Sequence, residues 1–273
     1  MQILETIQDY NEVSETIVRS LGLVTTMGAL HDGHLSLMRR SIEDNMETLV
    51  TIFVNPMQFS PGDDYELYPR TIKSDIDKLN REGVDYLFRP SVEEMYPEGF
   101  DTLIKVGRIG QILEGSSRIG HFEGVATIVS KIFSIIRPDR AYFGQKDAQQ
   151  IRIIKRVNED LNFGVEVIEC PTVREIDGLA MSSRNTYLNS KQKHAAKVIY
   201  QALSLARTVG NDASQIKGVV SDLIDKEPLA TLDYISVADA ETLEEINSIE
   251  CPALVSLAVF IDDMRLIDNI LLK

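Results

Sequence analysis

The chain has 273 residues, 44% of them hydrophobic, so it is long enough to bury a substantial core as one large domain or two modest ones. Its formal net charge of -14, without a dense Lys/Arg run, makes nucleic acid an unfavourable partner. No apolar stretch approaches the roughly 18 residues of a membrane span. The first ten residues include acidic side chains and no long apolar run, so we expect neither a membrane segment nor a secretory signal.

Short apolar runs alternate with segments of helical periodicity over the first two thirds of the chain. We predict strands at 22–26, 48–54, 84–88, 141–143 and 165–168, and helices at 34–45, 73–82, 124–136 and 147–161. The strand at 48–54 is apolar and β-branched throughout, which is typical of a strand buried on both faces. This alternation predicts an α/β fold: a doubly wound, Rossmann-like parallel sheet with helices on both faces.

The pattern changes near residue 175 from alternation to helices followed by strands. We predict helices at 191–209 and 214–224, extended segments at 233–237 and 253–261, and a short tail. Helices followed by strands indicate a smaller α+β domain. We therefore predict a catalytic Rossmann-like domain at 1–174 and an α+β C-terminal domain at 175–273.

A loop rich in glycine and histidine joins the first of these strands to the helix that follows it. Gly28 and Gly33 permit close approach of a ligand and unusual φ values. A helix N-terminus offers N–H groups and a partial positive charge, which suit phosphate. His31 and His34 are three residues apart, so both imidazoles can face one ligand. We interpret 27–34 as a grip for the phosphates of ATP, in preference to a turn with incidental histidines.

Polar residues also follow two other predicted strands, at the ends where open α/β sheets bind ligands. Asn55 and Gln58 could hydrogen-bond an uncharged part of a substrate, although a turn set by Pro56 explains them equally well. Lys146 is placed as a point charge for phosphate. A helix cap by Asp147 beside a solvated lysine is the alternative, and both interpretations can hold together.

Two further segments are candidates for the site. Ser182, Ser183 and Arg184 could grip an anion, although a serine-rich linker is the favoured interpretation of that segment taken alone. The glycines at 120–124 suit a mobile loop over a site, with Arg118 and His121 as contacts, and a tight turn explains them equally well.

Together, and in order from about residue 20 to 190, these motifs resemble the pantoate–β-alanine ligase family, a group of nucleotidylyltransferase-like enzymes. The matches are Thr-Met-Gly-x-Leu-His-x-Gly-His at 26–34, Phe-Val-Asn-Pro-x-Gln-Phe at 53–59, Tyr-Pro-Arg-Thr at 68–71, Leu-Glu-Gly-x-Ser-Arg at 113–118, Gly-His-Phe-x-Gly-Val at 120–125, Phe-Gly-x-Lys-Asp-x-Gln-Gln at 143–150 and Asp-Gly-Leu-Ala-x-Ser-Ser-Arg-Asn at 177–185. The C-terminal part matches more loosely. Thr25 and Ile119 stand where the family usually has proline, and neither departure removes a reacting group.

The resemblance implies a two-step reaction in which pantoate is activated by ATP as pantoyl adenylate and then joined to β-alanine. It implies a catalytic set of His34 as proton donor with His31, Lys146, Asn55 and Arg184. It implies pantoate and β-alanine contacts at Gln58, Gln150 and Met27. It implies ATP contacts at Met27, Gly28, Ala29, Leu30, His31, Asp32, Gly33, His34, Gly144, Gln145, Lys146, Asp147, Val173, Met181, Ser182, Ser183 and Arg184.

The resemblance also carries expectations about metal, closure and assembly. Mg2+ is expected on the triphosphate, with Asp75 as the named candidate among otherwise unassigned ligands. Because water would destroy an adenylate, the site must close; the C-terminal domain is the expected lid, and 118–121 is the candidate loop. The family suggests a homodimer. The isolated Cys170 and Cys251 fit a reducing compartment, so we expect a cytoplasmic protein.

Three other classes share parts of this pattern. A nucleotidylyltransferase acting on a phosphate ester would have the same loop, but Gln58 and Gln150 favour a substrate that is not a phosphate. An aminoacyl-tRNA synthetase is disfavoured by the acidic chain. A non-catalytic nucleotide-binding module would need the loop but not Lys146 or the 182–184 segment as well.

Overall fold

Two compact units make up this computed structural model, which describes residues 1–60 and 63–272. The first unit holds residues 1–144 and 150–170, and the second holds 145–149 and the chain from 171 onwards. In chain order the elements are β1 (Gln2–Leu4), α1 (Ile7–Ser14), β2 (Leu21–Thr26), α2 (Asp32–Asp44), β3 (Glu47–Ile52), α3 (Ile72–Glu82), β4 (Tyr86–Phe88), α4 (Val92–Met95), α5 (Glu114–Ser117), α6 (His121–Ile136), β5 (Arg140–Gly144), α7 (Ala148–Asp160), β6 (Glu166–Cys170), α8 (Ser190–Ala206), α9 (Ala213–Ile224), β7 (Ala230–Asp239), β8 (Ala253–Ile261) and β9 (Met264–Leu272). Within these described parts of the chain, no helix has the length and hydropathy needed to cross a membrane.

A parallel sheet forms the centre of the first unit. Within the described residues it has six strands in the order β1-β4-β3-β2-β5-β6, and every neighbouring pair is parallel. The chain runs outward from β2 through β3 and β4 on one side, and through β5 and β6 on the other. The strand order therefore reverses between β2 and β5, and the carboxyl ends of these two strands mark the ligand-binding edge of such a sheet. The predicted α/β fold is confirmed.

The central strands are apolar at successive positions because helices cover both faces of the sheet. Neighbouring residues of a strand point to opposite faces. Leu23 and Leu49 lie in one core with α1, α6 and α7, whereas Val24 and Val50 lie in a second core with α2 and α3. All four side chains are fully buried. Both faces are thus closed to water, as a doubly wound sheet requires.

Helices α8 and α9 pack on a small antiparallel sheet in the second unit. The described strands of this sheet are β7, β8 and β9, in that order. Ile199 of α8 and Ile216 of α9 share a core with Val255 and Leu257 of β8. The predicted smaller α+β domain is therefore confirmed as an architecture.

Five of the described helices and strands were missing from the sequence-based prediction, and two of them, α4 and α5, are helices of only four residues. Strand β1 has only three residues, two of them exposed. Helix α1 is set by a capping box between Thr6 and Asp9, with Tyr10 buried, and has no long apolar stripe. Strand β9, predicted as a short tail, has buried Asp268 and Asn269 among its apolar residues, and these polar residues break the pattern of a strand.

Candidate active site

The loop after β2 has a left-handed backbone at two successive residues. The φ angles are 84° at Gly28 and 50° at Ala29, and the Gly28 N–H donates to the Thr26 hydroxyl at 3.2 Å. Glycine adopts this region without the steric cost of a side chain. The turn leads from the carboxyl end of β2 into α2, which begins at Asp32 and not at His34 as predicted. Part of the proposed phosphate grip is therefore the first turn of a helix.

His31 and His34 are held together at the N-terminus of α2. Nδ1 of His31 accepts the Gly33 N–H at 3.2 Å, and the His31 N–H donates to Nδ1 of His34 at 3.4 Å. The two ring centroids are 4.1 Å apart. An imidazole whose Nδ1 accepts a hydrogen bond carries its proton on Nε2 when neutral. Both rings can therefore act through an Nε2–H donor at a helix end that favours anions.

Asp75 of α3 supports the same loop. Its side chain is buried, with one oxygen accepting the Ala29 N–H at 3.0 Å and the other accepting the Leu30 N–H at 2.9 Å. The Thr71 hydroxyl donates to it at 3.0 Å, and Lys78 Nζ donates to the Leu30 carbonyl at 2.5 Å. Two N–H groups of the loop thus face a carboxylate instead of a phosphate. The structure therefore gives Asp75 a role in supporting the backbone of this loop, while the magnesium ligation considered from the sequence stays a prediction.

Asn55 fixes the amide of Gln58. Asn55 is 1% exposed, and its Oδ1 accepts the Tyr96 hydroxyl at 2.7 Å. Its Nδ2 donates to the Gly124 carbonyl at 3.1 Å and to Oε1 of Gln58 at 3.2 Å, while Gln58 Nε2 donates to the Met27 sulfur at 3.0 Å. Burial raises the pKa of Tyr96, so its hydroxyl stays protonated as a donor. Asn55, placed in the catalytic set from the sequence, is here turned towards protein groups.

Most of the 120–124 segment belongs to the first turn of α6, which begins at His121. Of the two interpretations left open for this segment, a loop does not describe the helical residues 121–124. His121 is buried; its Nδ1 donates to the Gln58 carbonyl at 2.7 Å, and its Nε2 lies 3.1 Å from the Arg118 guanidinium. Arg118 also forms an ion pair with Asp63 at 3.2 Å. These contacts support the backbone beside Gln58.

A 3-10 turn at 145–147 follows Gly144, the last residue of β5, and leads into α7. Lys146 Nζ lies 3.2 Å from Oδ1 of Asp147, and the lysine side chain is 20% exposed. Gln145 is buried, and its Oε1 has no hydrogen-bond partner among the described residues. A buried acceptor of this kind is suited to an N–H or O–H donor of a ligand.

The segment around Arg184 folds back onto Val173 within the second unit. The Met181 N–H donates to the Val173 carbonyl at 3.0 Å. Ser182 caps the 3-10 helix Ser183–Tyr187, because its Oγ accepts the Arg184 N–H at 3.3 Å. The structure therefore places Val173 next to Met181, directly before the turn that carries Ser183 and Arg184.

The remaining predicted contacts lie at helix starts. Asp32 is the exposed first residue of α2, and Gly33 follows it. Gln150 lies in the first turn of α7 and is half-buried.

Across residues 1–60 and 63–272, no group of three or more His, Cys, Asp or Glu side chains is arranged to hold a metal ion.

Sequence reasoning missed two residues that position others. Tyr96 is 41 residues from its partner Asn55, and Asn269 is 124 residues from its partner Gln145. Neither belongs to a local motif, so pattern reading along the chain cannot pair them. Asn269 does leave one signal, because together with Asp268 it interrupts a run of apolar residues near the C-terminal end of the described chain.

The fold and the site define a nucleotide-binding α/β enzyme with a histidine-capped helix at the reversal of its strand order. The chain belongs to the pantoate–β-alanine ligase family, whose model matches residues 2–271. A pantothenate synthetase from Caldicellulosiruptor bescii is 49% identical over 280 residues, covering 100% of this chain and 99% of the relative.

Solved structures agree with the family assignment. The pantothenate synthetase of Thermus thermophilus is 42% identical, with a TM-score of 0.94 and 99% of each chain covered. The pantoate–β-alanine ligase of Francisella tularensis, solved in complex with β-γ ATP and β-alanine, is 36% identical, with a TM-score of 0.84 and coverage of 99% of this chain and 97% of that one. The family predicted from the motifs is therefore confirmed.

Proposed function

We propose that this protein condenses pantoate with β-alanine at the expense of ATP, through a pantoyl-adenylate intermediate, releasing pyrophosphate and AMP. The observation that carries the proposal is the pair of imidazoles, His31 and His34, held at the N-terminus of α2 with both Nδ1 atoms engaged. This arrangement lies at the carboxyl end of β2, where the strand order reverses. Family membership over residues 2–271 supports the reaction.

In the first step, a pantoate carboxylate oxygen attacks the α-phosphorus of ATP. The bond to the bridging oxygen breaks, and pyrophosphate leaves with its electron pair. His34, as proton donor, and His31 act through their Nε2–H groups on phosphoryl oxygens, while Lys146 and Arg184 supply positive charge. Charge stabilisation and positioning are the main sources of rate in such a transfer, and no covalent enzyme nucleophile is needed.

Two glutamines are proposed to read pantoate. The side-chain amides of Gln58 and Gln150 can hydrogen-bond hydroxyls and a carboxylate. They suit a substrate with these groups better than they suit a phosphate ester. Met27, whose sulfur accepts from Gln58, is proposed as a third contact, and the three residues together are proposed to bind pantoate and β-alanine. Asn55 acts on this site by fixing Gln58, so we reassign it from catalysis to positioning.

In the second step, the amine of β-alanine attacks the acyl carbon of the adenylate. The acyl–oxygen bond breaks, AMP departs and the amine loses a proton. Because water competes for the same carbon, the site must exclude it. A lid role for the domain at 175–273, over a catalytic domain at 1–174, stays a prediction.

We also propose that ATP is used as its Mg2+ complex, with the ion held mainly by phosphate oxygens and water. The ion would supply further positive charge to the triphosphate. Because both oxygens of Asp75 accept N–H groups of the loop, Asp75 is not assigned to it. A homodimer and a cytoplasmic location remain proposals; the two free cysteines, Cys170 and Cys251, fit a reducing compartment.

Isotope exchange tests the reaction directly. We expect labelled pyrophosphate to enter ATP when pantoate is present and β-alanine is absent, because adenylation is reversible before the amine arrives. Exchange that does not need pantoate would instead indicate another nucleotidylyltransferase. The absence of any exchange in folded protein would contradict the adenylate route. Omission of Mg2+ in a parallel reaction tests the metal proposal.

A further inference from the structure

The last strand of the second unit reaches the turn that carries Lys146. Asn269 of β9 is 4% exposed. Its Nδ2 donates to the carbonyl oxygens of Gln145 and Lys146, both at 2.9 Å, and its Oδ1 accepts from Nε2 of Gln145 at 3.0 Å. Both N–H bonds and the oxygen of the Asn269 side-chain amide therefore hydrogen-bond to residues of the 145–147 turn.

These bonds hold the backbone on both sides of one Cα atom. The Gln145 carbonyl belongs to the peptide group that precedes Lys146, and the Lys146 carbonyl belongs to the peptide group that follows it. With both peptide groups held, the position of the lysine Cα is fixed. The ammonium group then moves only by rotation within its own side chain.

Asn269 is itself held by a buried ion pair. Asp268 accepts the Asn269 N–H at 2.7 Å and takes a bidentate bond from Arg174 at 2.5 and 3.0 Å. Arg174 also donates to the Asn269 carbonyl at 3.3 Å and stacks on the ring of Tyr200 at 4.1 Å. Bidentate pairs of this kind fix geometry as well as charge. The contacts with Asp268 and Arg174 thus fix the backbone from which the Asn269 amide extends.

We propose that Asn269 is a positioning residue for Lys146 in the adenylation step, an inference that rests on the function proposed above. A lysine carries a point charge on a flexible side chain, so the transition-state stabilisation that it provides depends on the position of its Cα atom. A misplacement of about 1 Å in a catalytic group can cost on the order of 100-fold in rate. The turn that carries Lys146 clusters with β9 in the second unit, although the strand before it belongs to the first.

The substitution Asn269→Asp tests the proposal with almost no change of shape. It replaces the two donors by an oxygen that faces two carbonyl oxygens. We expect the pantoate-dependent exchange rate to fall by about 10- to 100-fold. The KM for pantoate should change by less than about threefold, because the glutamines proposed to bind it are untouched. Asn269→Ser keeps one hydroxyl donor and should show an intermediate loss, and it provides the test if the aspartate variant does not fold.

Ser256→Ala is the matched control. Ser256 lies opposite Asn269 in the register of β8 with β9, and its hydroxyl is buried without a hydrogen-bond partner among the described residues. This variant removes a buried polar group from the same place in the sheet without touching the turn. Its exchange rate should stay within about twofold of that of the wild-type protein.

A double-mutant cycle separates positioning from a purely structural role. Asn269→Asp is combined with Lys146→Ala, and the exchange rates of the four proteins are compared. If Asn269 acts through Lys146, its substitution should cost less than about twofold once the lysine is gone. An equal loss in both backgrounds would overturn the proposal.

Hydrogen–deuterium exchange of the turn gives a readout that does not depend on the reaction. The amides of 145–148 should exchange faster in Asn269→Asp than in Ser256→Ala. If the wild-type protein shows no pantoate-dependent exchange into ATP, the proposed function fails, but the amide exchange still tests whether Asn269 holds the turn. Unchanged amide exchange with intact activity would exclude the positioning role.

Discussion

Asp75 accepts the backbone N–H of Leu30 at 2.9 Å, and its second oxygen accepts that of Ala29 at 3.0 Å. The left-handed turn of the loop is therefore held by a carboxylate from α3. We expect Asp75→Asn to place an amide donor against one of these N–H groups and to lower the free energy of unfolding by about 1–3 kcal/mol. Adenylation should fall by about 10-fold or more, because the histidines follow directly on this loop. Urea denaturation and pyrophosphate exchange measure the two effects.

Asp77→Asn is the control for that variant, because Asp77 lies on the same helix and is exposed. The Mg2+ concentration that gives half-maximal exchange distinguishes support of the loop from metal ligation. It should be the same in Asp75→Asn as in the wild-type protein. A marked increase confined to Asp75→Asn would restore the metal interpretation.

Local sequence signals predicted the architecture well, because strand and helix periods and the glycine–histidine loop are all readable along a few residues. They failed where a partner lies far away in the sequence. Asp75 and Tyr96 act on segments 45 and 41 residues away, so no pattern near either residue reveals its role. The segment 120–124 was left open between a mobile loop and a tight turn for a different reason, because a glycine needed for close packing looks the same in a sequence as one needed for flexibility.

Gly124 lies in α6 at the point where that helix meets the turn carrying Gln58. A Cβ atom at this position would lie 2.2 Å from the Met57 carbonyl oxygen and 2.6 Å from the Gln58 N atom, and backbone cannot rotate away as a side chain can. We expect Gly124→Ala to lower the free energy of unfolding by about 1–3 kcal/mol and to raise the KM for pantoate. Chemical denaturation and initial-rate kinetics provide the measurement.

Gly218→Ala is the matched control for helix packing, because a Cβ atom there would meet nothing within 4 Å. In the interior of α9, alanine should stabilise the protein by about 0.5–1 kcal/mol relative to glycine. Equal effects of the two substitutions would contradict the close approach at Gly124.

Tyr96→Phe removes the hydroxyl that donates to Asn55 at 2.7 Å. Among the described residues, the buried Asn55 oxygen then keeps one weaker bond, from the Met57 N–H at 3.3 Å, so the Gln58 amide should lose its fixed orientation. We expect a loss of about 1 kcal/mol in stability and an increase of several-fold in the KM for pantoate, with the KM for ATP nearly unchanged. The control is Tyr86→Phe, because the hydroxyl that it removes lies 3.3 Å from Glu47. This variant should change neither KM. A parallel rise of both KM values in Tyr96→Phe would point to general loosening of the unit.

His34 has a structural role and a proposed chemical role, and one substitution can separate them. Its Nδ1 accepts the His31 N–H, which completes the capping box of α2, and its Nε2 is the proposed proton donor. His34→Ala should lose both, with a stability cost of about 0.5–2 kcal/mol and a rate loss of about 100- to 1,000-fold. His34→Gln should recover most of the stability, since glutamine is a common residue at this position of a capping box, but not the rate. Thermal melting followed by single-turnover adenylation distinguishes the two. Recovery of the rate together with the stability would mean that His34 serves the reaction only by capping the helix.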